Sequence, residues 1–221
     1  MPETSLRTGL PIGSSSRLRR VAPFVPYLAV VVGMFGLHSA WGAVFGYHLG
    51  MMLVLSLDGG WPGARRFGAG MQPWPLTATG AFGLSGGVLL YLCWPLLGLP
   101  PEFSQQLAAL GISSATWPLF LAYFCLVNPW LEELYWRGYL GDDAWRPVWN
   151  DLFFAGYHLL VLSPFVWWPW LGVVLVGLVS AGWLWRQMAR ITRGLLIPLV
   201  SHFLADAAIM LTVYLFTTRV V

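Results

Sequence analysis

The sequence predicts an all-α fold: a polytopic transmembrane helical bundle of about seven spans, with its N-terminus on the cytoplasmic side. Three observations carry this. Of the 221 residues, 57% are hydrophobic and only 10% are charged, against about 25% charged in an ordinary soluble domain. The mean hydropathy is +0.67. The apolar residues also come in runs that approach or exceed the roughly 20 residues a bilayer span requires. A chain this apolar cannot cover itself with polar surface, so its solvent is lipid.

Residues 1–22 read as a polar tail rich in Arg and Ser, and residues 23–221 as a single transmembrane domain. Arg17, Arg19 and Arg20 precede the first apolar run as in a signal peptide. That run extends to Leu57, however, far beyond an h-region of about 7–15 residues, so it is read as a retained anchor. Residues 23–57 are too many for one ordinary span. The stretch Leu37-His-Ser-Ala-Trp-Gly42 offers a tight turn, giving short spans at 23–38 and 41–57.

The third span, 76–98, is closed by Gly98-Leu-Pro-Pro101, and residues 102–113 read as a short interfacial helix. The fourth span begins near Ser114 and continues as helix to Leu140. The last three are expected at 151–163, 166–185 and 194–217. Small residues (Gly80, Gly83, Gly86 and Gly87 in the third span, Gly172 and Gly177 in the sixth) are expected to let helix backbones approach closely. Trp167, Trp168 and Trp170 fit an aromatic belt at the outer end of the sixth span. No internal repeat is visible.

Arginine placement supports this count. All 12 basic residues are Arg. With seven spans and a cytoplasmic N-terminus, 11 of the 12 fall on one side, and only Arg219 falls on the other. Basic residues collect on the cytoplasmic side of membrane proteins. The arginines sit in short flanks between apolar runs, not along one stripe, which excludes a nucleic-acid-binding surface. Cys93 and Cys125 lie inside apolar segments, where they read as packing residues and not as a disulfide or metal framework.

Ionisable side chains inside a membrane are costly and tend to mark function. Beyond the loops, the chain keeps His38, His48, Glu132, Glu133, Arg137, His158, His202 and Asp206. Glu133 and Arg137 are four apart in the favourable order for a helical ion pair. Glu132 points about 100° away and has no partner on its own helix, which suits a proton acceptor. His202 and Asp206 share a helix face, a spacing at which the carboxylate can orient the ring. His38 and His48 have no carboxylate at such a spacing and read as packing or interface residues. Glu132, His158 and His202 each lie eight residues from the expected cytoplasmic end of their helix. At about 1.5 Å per residue, all three sit roughly 12 Å below one membrane face.

The patterns Glu132-Glu-Leu-Tyr-Trp-Arg137, Phe154-Ala-Gly-Tyr-His158 and His202-Phe-Leu-Ala-Asp206, in that order, resemble the CPBP family of intramembrane endopeptidases. This family includes the CAAX prenyl protease 2 enzymes and bacterial relatives linked to bacteriocin processing and self-immunity. The resemblance covers residues 114–217. It implies a glutamate-type mechanism in which Glu132 and His158 activate a water. His202 and the residue at 206 would stabilise the oxyanion, with Glu133 and Arg137 as support. Asp206 departs from the Asn common in the family. An ionised Asp repels an oxyanion, so it would be protonated, or else accept from His202 and leave the donating to that ring.

The expected partners are the bilayer and a protein or peptide substrate with a membrane-associated terminus, in a multi-pass protein of a bacterial cytoplasmic membrane with its site open to the cytoplasmic side. No cofactor is expected. Zinc held by Glu132, His158 and His202 is the weighed alternative, but there is no H-E-x-x-H helix. Two other classes stay open on the sequence alone. One is a non-proteolytic immunity or assembly factor that keeps the motifs as a polar network. The other is a small transporter with a proton relay, against which stands the absence of visibly broken spans.

Overall fold

The computed structural model describes residues 17–61, 63, 67 and 73–218. Among these residues the fold is entirely helical. The helical run α1, Arg17–Gly36, turns back into α2, Ala40–Leu57. Helix α3 is Pro73–Cys93, and a short helix α4, Phe103–Ala109, lies where an interfacial helix is expected. Helix α5, Trp117–Glu132, widens into π-helical turns over Glu133–Tyr139. Helices α6 (Trp149–Leu162), α7 (Trp168–Thr192) and α8 (Leu196–Thr218) complete the bundle.

The expected boundaries shift in two places. The helix of α1 already runs from Arg17, inside the stretch read as tail. Its turn is where the sequence put it: His38 adopts φ 49°, and the Ser39 hydroxyl accepts from the Gly42 N–H at 3.0 Å, capping α2. Helix α7 extends past residue 185 to Thr192, so Arg186 and Gln187, read as loop residues, are buried. Residues 1–16, Arg65, Arg66 and Arg219 lie outside the described residues, and the side-by-side arginine tally stands as an expectation.

Among the described residues five helices are long and apolar enough to cross a membrane: α1, α2, residues Leu76–Leu96 of α3 and its extension, α7 and α8. Among the described residues, α5 and α6, which carry the Glu132–Arg137 and His158 motifs, do not meet that measure, whereas α8, which carries His202 and Asp206, does. The α-helical part of α5 has 16 residues and leads into Glu132, Glu133 and Arg137. Helix α6 has 14 residues, about 21 Å against a hydrocarbon core of about 30 Å. Their polar residues turn inward, while Leu28, Leu49, Leu92, Leu126 and Val176 cover the outside with exposed apolar surface.

Two glycines set the packing around the site. A Cβ on Gly83 would stand 2.1 Å from the Ser201 carbonyl oxygen, and one on Gly87 would stand 2.4 Å from the Ala208 Cβ. Helix α3 therefore lies directly on the face of α8 that carries Ser201 and Ala208. Gly172 and Gly177 correct the sequence reading. Both face open space and make no close helix contact.

The connection between α5 and α6 is held by a residue the sequence did not single out. Arg186 of α7 forms a buried ion pair with Asp151 at 2.8 Å. The guanidinium also donates to the carbonyls of Asp142 at 3.1 Å, Ala144 at 2.5 Å and Arg146 at 2.8 Å. Asp151 in turn accepts from the Val148 N–H at 2.9 Å at the start of α6. One planar fork thus fixes the loop and the first turn of the helix that delivers His158.

Candidate active site

Pro129 lies inside α5 just ahead of Glu132. It removes a backbone donor, and the helix then opens into π turns from Glu133 onward. Such turns are frequent at functional sites. The result is a pair of adjacent carboxylates, 1% and 0% exposed, that reach different partners.

Glu133 does what its spacing predicts. Its Oε1 is 3.2 Å from an Arg137 guanidinium nitrogen. The same oxygen accepts from His202 Nδ1 at 2.8 Å. The Arg137 guanidinium lies over the Phe154 ring at 4.2 Å and near the Trp185 ring at 5.2 Å, and it donates to the Gly182 carbonyl at 3.4 Å. A buried cation needs such compensation on several sides.

Glu132 has no partner on its own helix but finds two on others. Its Oε1 accepts from the Tyr47 hydroxyl at 2.8 Å and from the Tyr157 hydroxyl. The Trp136 indole N–H donates to the Tyr47 oxygen at 2.9 Å. Its other oxygen, Oε2, lies 3.3 Å from His202 Nε2, off the hydrogen-bond axis, and no described residue satisfies it. A buried carboxylate oxygen without a donor is costly.

His202 is stacked on Trp185 with ring centroids 4.1 Å apart. Its Nδ1 faces Glu133, and its Nε2 faces both Glu132 and Asp206 Oδ1, the latter at 3.6 Å. Carboxylates only accept, so the ring is arranged to donate at both nitrogens. Nδ1 makes its bond, while Nε2 remains beyond good hydrogen-bond geometry and free to donate elsewhere.

His158 lies beside this group, with Phe154 packed against it. The Phe154 ring centroid is 5.1 Å from His158 and 6.1 Å from His202. His158 Nδ1 donates to the Phe154 carbonyl at 2.8 Å, which leaves the lone pair on Nε2. Among the described residues His158 makes no hydrogen bond or ion pair with Glu132. The two are linked through Tyr157, whose ring packs on His158 at 4.1 Å and whose hydroxyl reaches Glu132.

Asp206 Oδ2 accepts from the Asn128 amide at 3.0 Å. The Asn128 carbonyl oxygen is 3.1 Å from His48 Nε2, and His48 Nδ1 is 2.8 Å from the Tyr123 hydroxyl. His48, read from the sequence as a packing residue, is therefore part of the polar network. His38 is exposed and stays outside it. Asn128, Tyr47 and Tyr157 are not singled out by the sequence either. Their signal was present only as polar or hydroxyl-bearing residues on apolar helices, a pattern shared with many packing residues.

The structure thus gathers Glu132, Glu133, Arg137, His202 and Asp206 into one contact network, with His158 against its aromatic wall. Among the described residues no three His, Cys, Asp or Glu side chains could hold a metal ion together. Cys93 and Cys125 are free thiols.

Residues 114–208 match a family model described as Rce1-like, type II CAAX prenyl endopeptidase Rce1-like. The matched stretch runs from just ahead of α5 to just past Asp206 and contains every motif residue named above. No curated protein and no solved structure matches the chain.

Proposed function

We propose, from the premise that through residues 114–208 the chain belongs to the Rce1-like family of type II CAAX prenyl endopeptidases, that it is an intramembrane endopeptidase of the glutamate type. It hydrolyses a peptide bond near a membrane-embedded or lipidated terminus of a protein substrate. The observation that carries the reading is the asymmetry of Glu132: two tyrosine hydroxyls donate to its Oε1, while its buried Oε2, without a donor like Oε2 of Glu133, lies 3.3 Å from His202 Nε2.

Tyr47 and Tyr157 hold the other oxygen of Glu132, so Oε2 is the one left to receive a proton from an attacking water. The free Nε2 lone pair of His158 is the second acceptor on that side. The water oxygen bonds to the carbonyl carbon, and the carbonyl oxygen becomes the oxyanion. His202 Nε2–H, not committed to another bond, donates to it. When the intermediate collapses, the C–N bond breaks and the proton taken from water passes to the leaving amine. The Asp206 carboxylate, its Oδ1 3.6 Å from His202 Nε2, favours a proton on that nitrogen without taking it up in a bond. The cytoplasmic opening of the site remains the orientation that the arginine bias favours.

The test is cleavage of a fluorogenic farnesylated peptide ending in Cys-aliphatic-aliphatic-X by the purified protein in proteoliposomes. Glu132→Ala and His158→Ala are each expected to lower the rate by about 10²–10⁴-fold, the usual contribution of a positioned acid–base group. Stably inserted variants that both cleave at the wild-type rate would end this reading.

A further inference from the structure

Helix α2 delivers two consecutive side chains to the site, and both lie outside the segment that matches the family. Tyr47 donates to Glu132 at 2.8 Å. His48, 1% exposed, meets Asn128 at 3.1 Å, and Asn128, 3% exposed, meets Asp206 at 3.0 Å. Adjacent residues on one helix thus reach two different carboxylates of the site, one directly and one through an amide.

With Asp206 ionised and His48 neutral, the hydrogen bonds of this array run in one direction. Asp206 as carboxylate only accepts, so the NH2 end of Asn128 faces it. The Asn128 oxygen then faces His48, whose Nε2 carries the proton. The lone pair on His48 Nδ1 receives the Tyr123 hydroxyl at 2.8 Å. Every link constrains the next, ending at Asp206, whose Oδ1 stands 3.6 Å from His202 Nε2. The array has four members from α2, α5 and α8, and it fixes which oxygen of Asp206 looks at the histidine.

We propose that His48 and Asn128 are positioning residues of the hydrolysis, holding Asp206 in the orientation that aims the Nε2–H of His202. This rests on the endopeptidase reading above. A plain polar plug between helices would hold them together, but it would not need the amide to point one way. The direction of Asn128 is therefore what the experiment probes.

Asn128→Asp sets a carboxylate against Asp206 and reverses the donor. The exchange variant Asn128→Asp/Asp206→Asn restores every bond with the polarity inverted: Asn at 206 donates to Asp at 128, which also accepts from His48. Cleavage of the farnesylated peptide is followed with thermal stability and folded fraction measured alongside. For Asn128→Asp, kcat per folded molecule is expected to fall about 10- to 100-fold, the loss typical of removing a group that orients a working side chain, with KM within about twofold. The exchange is expected to recover most of it. Unchanged kcat in Asn128→Asp, or an exchange variant no better than the single one, overturns the proposal.

Glu132→Ala run beside them separates the two readings. If it cleaves like the wild type, or the wild type does not cleave, the endopeptidase reading falls. The positioning claim is then decided by ring 15N spectra of histidine-labelled protein. The His202 signals are expected to move in Asn128→Asp and to return in the exchange variant. Signals that stay in place refute it.

Discussion

Arg137 offers the sharpest test of what holds the site together. It is buried with Glu133, 3.2 Å apart. At an effective dielectric of 20, two unit charges at that distance attract by about 5 kcal/mol. Removing Arg137 leaves the buried Glu133 charge with only the His202 Nδ1–H against it, and breaking a buried pair typically costs about 3–5 kcal/mol. Arg137→Met keeps much of the side-chain volume over Phe154 while deleting the cation. It is expected to lower the unfolding free energy by about 3–5 kcal/mol, a large share of a typical stability of about 5–15 kcal/mol. Glu133→Gln/Arg137→Met removes both charges, and Gln can still accept from His202 Nδ1. The double variant is therefore expected to be more stable than Arg137→Met alone, a coupling of the kind contacting residues show. Unfolding in mixed micelles, followed by tryptophan fluorescence, measures both. A single variant within about 1 kcal/mol of the wild type, an effect no larger than many ordinary point mutations, would refute the locking role. So would a double variant less stable than the single.

The close approach of α3 to α8 predicts that Gly83→Ala destabilises by about 1–3 kcal/mol through overpacking, because its new Cβ would meet the Ser201 carbonyl oxygen at 2.1 Å. The same denaturation assay should show no comparable loss for Gly172→Ala, which faces open space. Cleavage by the purified protein is expected to survive strong chelation. Loss on chelation with recovery on adding zinc would replace the glutamate mechanism by a metal one.

Much of the architecture is legible in the sequence because hydropathy and helical spacing are local properties. The turn at 37–39, the short helix after Pro101 and the Glu133–Arg137 pair follow from residues within a few positions of each other. The motifs also single out Glu132, His158, His202 and Asp206 as candidates for one site: the first three are costly groups eight residues from the expected ends of their helices, and Asp206 shares a helix face with His202. Local spacing could not give the partners of these groups. Glu132 lacks a partner on its own helix, as read, but finds Tyr47 from α2 and Tyr157 from α6.

The same limit explains the residues that were misread. His48 has no carboxylate four positions away, so nothing in its neighbourhood suggests function; its connection runs through Asn128, 80 residues on. Arg186 reads as a flanking loop charge because its ligands are one carboxylate and three carbonyls from residues 142–151. Gly172 and Gly177 carry the same signal as Gly83 and Gly87, yet they face outward.

The sequence by itself determined that the chain is helical, that it belongs in lipid, and which few polar side chains it places there. Those properties depend on composition and on a period of 3.6 residues. The tertiary structure alone decided which atoms of those side chains meet. Hydrogen bonds between helices depend on the rotation and separation of each pair, which here are set by a glycine contact between α3 and α8, the π turns after Glu132 and the Arg186 clamp on α6. Those distant contacts turn a set of costly residues into a site with one carboxylate oxygen held and the other free.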